Sequence, residues 1–176
     1  MEITDKISFL KYALPALAAG ACGVDKFSKS QIDEFVKQVS ENKIPDLDIE
    51  KTFKLANVMC NFVATRDKKT SIDTDVIREY FLFEHNKVLD DNAKLEDHDI
   101  KTCKTYARKI TNIEEGFAIV KTKIGEEKYS TAFLKDAKVG DIVAVHFSFI
   151  TERISAETAR KMNSLQNASQ KIKLGV

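Results

Sequence analysis

The feature that most constrains this chain is a change of hydrophobic period partway along it. Up to about residue 88 the apolar residues recur at helical spacing, lining one side of successive α-helices. From Thr102 onward they alternate with polar ones, the pattern of strands with one face buried. Between the two runs lies Leu89-Asp90-Asp91-Asn92-Ala93-Lys94-Leu95-Glu96-Asp97-His98-Asp99, polar enough to serve as a linker. Charge divides at the same place. Residues 1–99 hold 14 Lys and Arg against 19 Asp and Glu, a balance of −5, and residues 100–176 hold 14 against 8, a balance of +6. The expected fold class is therefore α+β, with a helical domain over 1–99 and a small β-barrel domain with a terminal helix over 100–176. Opposite charge could equally serve only to draw the halves together.

In the first half, Phe9, Leu10, Ala13 and Leu17 predict a buried first helix. Ser30-Gln31-Ile32-Asp33 has the form of a capping box, and Ile32, Phe35, Val36 and Val39 continue it as one apolar stripe. That helix should stop near Asn42, because Pro45 disfavours helical geometry at Ile44. Asp48 is placed to cap the next helix, whose Phe53, Ala56, Met59, Cys60 and Val63 face inward and make Cys60 a core residue. A last segment from Thr74 puts Val76, Tyr80, Phe83 and Val88 on one side, with His85 at its C-terminal end. An imidazole there complements the helix dipole or binds water, with a metal role as the other reading. Four helices make an antiparallel bundle the simplest arrangement.

The longest apolar window, Tyr12–Val24, is broken by Pro15, Gly20 and Gly23 and is shorter than the roughly 20 residues a membrane span needs. Cys22, Cys60 and Cys103 have no paired spacing, which fits thiols in a reducing, cytoplasmic setting.

In the second half, Val143, Val145, Phe147 and Phe149 share the inward face of one long strand, which turns His146 away from the core. Tyr106 and Ile110 point inward from the first strand and leave Cys103, Thr105, Ala107 and Lys109 on the opposite side. Cys103 and His146 are thus both expected to be accessible. Phe117–Thr122 and Glu127–Phe133 supply two further strands, Val139-Gly140-Asp141 the turn into the last long one, and Ser155 the cap of a helix to about Gln170.

Lys101 and Lys104 flank Cys103, and positive neighbours favour the thiolate. A thiolate beside an imidazole is a handle for iron, copper or zinc. Two ligands cannot close a structural zinc site, so a metal at Cys103 and His146 would be shared with a partner or held transiently. The plain alternative is an exposed cysteine and histidine with no joint purpose. The sequence offers no oxyanion hole, phosphate-binding glycine loop or useful carboxylate pair, so an enzyme is not expected. A basic barrel that binds single-stranded nucleic acid is the alternative function, although Tyr106, Phe117, Phe147 and Phe149 fall mostly on core faces. A purely structural interaction module is another.

The stretch from Cys103 to the terminal helix, with Val139, Gly140, Asp141, Val143, Val145, His146 and Ile154, resembles the HypC/HupF family of [NiFe]-hydrogenase maturation chaperones. The resemblance implies a small OB-like barrel that is an accessory protein rather than an enzyme. It implies Cys103 as the iron or partner contact and His146 as its support. It further implies no tightly bound cofactor, only transient iron, and as partner a hydrogenase large-subunit precursor or an iron-scaffold maturation protein. In the family the cysteine follows the initiator methionine, whereas Cys103 is internal, and Ala107 and Arg108 stand where the family has a proline and a small residue. The opening segment, Phe9 to Pro15 followed by Gly20-Ala21-Cys22-Gly23, is similar to an uncharacterised helical-plus-barrel family related to these chaperones, which implies Cys22 as a possible additional thiol contact.

Overall fold

The computed structural model describes residues 1–20, 27–91, 103–122 and 124–174, with side chains to residue 167. Cys22 and Lys101 lie outside the described residues, as does most of the expected linker. The chain forms two compact units, Met1–Phe81 and Leu82–Val176.

The first unit is helical. Helix α1 (Lys6–Ala18) is capped by Asp5, which accepts from the Ser8 N–H at 2.9 Å. Helix α2 (Lys29–Ser40) begins two residues earlier than the Ser30 capping box predicts. Ser28 and Gln31 form the box instead: Ser28 Oγ accepts from the Gln31 N–H, and Gln31 Oε1 accepts from the Ser28 N–H. The helix ends where expected, though not through Pro45. Asn42 takes a left-handed φ of 57°, the Lys43 N–H reaches Gln38 O at 2.8 Å, and the Asn42 N–H reaches Val39 O at 3.0 Å. These two bonds make a Schellman termination, in which asparagine tolerates the positive φ.

Asp48 caps a single turn, α3 (Ile49–Thr52), before α4 (Lys54–Arg66) buries Cys60, Val63 and Ala64. Burial pushes the Cys60 thiol up to about 12. Helix α5 (Thr74–Arg78) is capped by Asp73. α1 packs on α2 and α5, and α4 packs on α3 and α5. The ring of Phe81 stacks on Tyr12 at 4.8 Å and meets Phe9 edge-on at 6.2 Å.

A π-helical turn, Glu79–Glu84, follows α5 and leads into α6 (His85–Asp91). Tyr80, Phe81, Leu82, His85 and Leu89 are buried, while Phe83 and Val88 are only half-buried. His85 opens a helix rather than ending one.

The second unit is a closed five-stranded barrel: β1 (Thr105–Glu114), β2 (Phe117–Thr122), β3 (Gly125–Ser130), β4 (Ile142–His146) and β5 (Phe149–Arg153), in the order β1-β2-β3-β5-β4. The α+β fold class is as expected. Ile110, Ala118, Val120, Tyr129, Val143, Val145 and Ile150 fill the barrel, with Tyr106 packed against them. The single long strand expected over 142–149 is in fact two, folded back at Phe147-Ser148 so that His146 pairs with Phe149. Phe147 holds a φ of 50°, a conformation costly for an aromatic residue. Gly140, at φ 95°, serves the turn before β4, where its N–H reaches Ile110 O at 2.9 Å. Ser155 caps α7 (Ala156–Leu174) by accepting from the Thr158 N–H at 3.0 Å, and α7 packs along β1 and on α6.

Candidate functional site

Strand alternation sends Val143 and Val145 into the barrel and Ala144 and His146 to its outside, as the sequence pattern predicts. That outer face is covered. His146 is 2% exposed, Thr105, its register partner on β1, is fully buried, and Cys103, just ahead of β1, is 1% exposed. The expectation that Cys103 and His146 emerge on the surface is therefore corrected: α6 and α7 lie over this end of the barrel. Their proximity is real. The His146 Nε2–H donates to the main-chain oxygen of Cys103 at 2.9 Å. A carbonyl can only accept, so Nε2 carries the proton and is not a ligand while this bond lasts.

Helix α6 completes the site. The His85 ring meets the His146 ring edge-on, centroids 5.0 Å apart. Burial above all, together with His146 and the Lys104 ammonium, pushes the His85 imidazole down to about 3, against a raising hydrogen bond with Asn86. Asn86 offers its carboxamide to the backbone of Thr105 as a neighbouring strand would. Its Oδ1 accepts from the Thr105 N–H at 2.8 Å, and its Nδ2 donates to the Thr105 oxygen at 2.7 Å. From α7, Gln166 Nε2 donates to that same oxygen at 3.0 Å. Lys104 reaches the Asp90 carboxylate at 2.7 Å, with both side chains largely buried. Its charge is thus neutralised by a partner instead of standing open beside Cys103, as the flanking lysines suggested.

The sequence reading named neither Asn86 nor Asp90, and it gave His85 a place at a helix end rather than against His146. His85 follows Phe81 by four residues and Ile77 by eight, so the apolar period could have marked it as buried. Among the described residues no group of three or more His, Cys, Asp and Glu could hold a metal ion. Cys103 and His146 are therefore adjacent without forming a closed metal site there. His98 and its acidic neighbours lie outside the described residues. No helix among the described residues is long and apolar enough to cross a membrane.

With this geometry in place, comparison with known proteins gives one finding. The HupF/HypC family model matches residues 103–165, from Cys103 through the barrel and into α7. No match was found among curated proteins or solved structures.

Proposed function

We propose that this chain is a HypC-like accessory protein of [NiFe]-hydrogenase maturation, a binding and delivery module that works in the cytoplasm without catalysing a reaction. Cys103 is its contact residue for a partner, either the large-subunit precursor or the iron scaffold, and iron is cargo shared transiently between the two. His146 positions the thiol by holding the Cys103 main chain. The observation that carries this reading is that the family match begins on Cys103, the residue whose main chain is bonded to His146. A thiolate suits soft or borderline metals, and one thiolate with at most one imidazole needs a partner's ligands to complete the coordination.

The test is anaerobic affinity purification from cells that make a [NiFe]-hydrogenase. Wild type should recover the precursor or its iron scaffold, with iron in the recovered complex. Cys103→Ala should lose both, and Cys60→Ala should lose neither. Undiminished recovery by Cys103→Ala would remove the thiol from the mechanism.

A further inference from the structure

Three consecutive residues, Cys103, Lys104 and Thr105, are all held by α6 or by a residue that α6 touches. Asn86 bonds both main-chain groups of Thr105, and Asp90, one turn further along, pairs with Lys104. His85 braces the His146 ring that holds the Cys103 oxygen. All of this rests on the last seven residues of a helical run that continues without a break from the π-helical turn, and among those seven only His85 and Leu89 are buried. The closed arrangement also carries local costs. Thr105 Oγ1 is buried with no hydrogen-bond partner among the described residues, and Phe147, beside His146 at 4.7 Å between ring centroids, sits at positive φ. The end of a helical run that buries only two of its last seven residues, over a segment with unrelieved costs, belongs to the part of a fold that opens first.

We propose that α6 is a latch over a cryptic thiol: Asn86 and Asp90 hold the Cys103–Thr105 segment shut, and Cys103 becomes reactive when α6 lifts while the barrel stays folded. That a maturation partner then uses the thiol rests on the function proposed above; the latch itself does not. A partner that binds only the open form draws the protein towards it by its preference for that form.

Labelling by iodoacetamide near neutral pH, with each cysteine read separately by peptide mass spectrometry, tests the latch. Wild-type Cys103 should react at least about tenfold more slowly than in the urea-unfolded chain. Its rate should depend on urea more weakly than β4 amide exchange does, because lifting one helix exposes little surface. Asn86→Ala, which removes both bonds to Thr105, should accelerate Cys103 at least about tenfold. Ile150→Val, which loosens the barrel core without removing a bond to the Cys103–Thr105 segment, should leave the rate within about twofold.

A wild-type Cys103 that reacts as in the unfolded chain would overturn the latch. So would a urea dependence equal to that of β4, or an equal acceleration by Ile150→Val. Should Asn86→Ala fail to fold, the wild-type urea dependence decides. Partner recovery that needs Cys103 alongside failed labelling results would refute the latch and spare the proposed function. A gated thiol with Cys103-independent recovery would do the reverse.

Discussion

Acidification should loosen the barrel unit through His85, and replacing that residue with leucine should abolish the effect. In the fold the imidazole is buried, faced by the His146 ring, the Lys104 ammonium and Asn86, and its pKa is held down to about 3. In the unfolded chain it returns to about 6.5. Between these values the unfolded chain binds a proton that the native state refuses. This contribution to stability is therefore fully present above about pH 6.5 and is lost as pH falls towards about 3. At about pH 5 the loss is about 2 kcal/mol, roughly a thirtyfold shift towards unfolding.

Carboxylates elsewhere titrate over the same range, so the informative quantity is the difference between wild type and His85→Leu, in which their contributions cancel. Urea titration at about pH 7.5 and about pH 5, read by pulsed amide exchange on β1 and β4 peptides, isolates this unit. Wild type should lose about 2 kcal/mol more than His85→Leu between the two conditions. Parallel losses would mean that His85 is not held neutral by burial, and the account of the site would fail with it.

Two further tests address the scaffold. At the end of α4, Lys68 has a φ of 56° in a second Schellman termination, with the Lys69 N–H on Ala64 O and the Lys68 N–H on Thr65 O. Lys68→Gly should raise the stability of the helical unit by about 1 kcal/mol in urea titration, and a loss would contradict the assigned geometry. Ile110, 1% exposed in the barrel core, should cost about 3 kcal/mol on replacement by Ala, measured on the β4 amides, and a cost below about 1 kcal/mol would mean that the barrel interior is not close-packed.

Local pattern carried much of this fold. The stripe of α2 with its stop at Asn42, the caps at Asp48 and Ser155, and the bounds of β2 all follow from interactions a few residues apart, which a sequence displays directly. Boundaries went wrong where two local signals competed, as Ser28 did with Ser30, or where an apolar run hid a turn, as at Phe147-Ser148.

For the site, the sequence by itself determined the parity of β1 and β4, and with it the meeting of the Cys103 segment and His146 on the outside of a barrel. Whether that outside faces water was decided only by tertiary structure, because coverage comes from α6 and α7, elements distant in sequence from one or both of the residues they cover. The approach of His85, Asn86 and Asp90 was likewise decided only there, because polar contacts between a helix and a strand joined by an intervening connection leave no periodic mark in the amino-acid pattern.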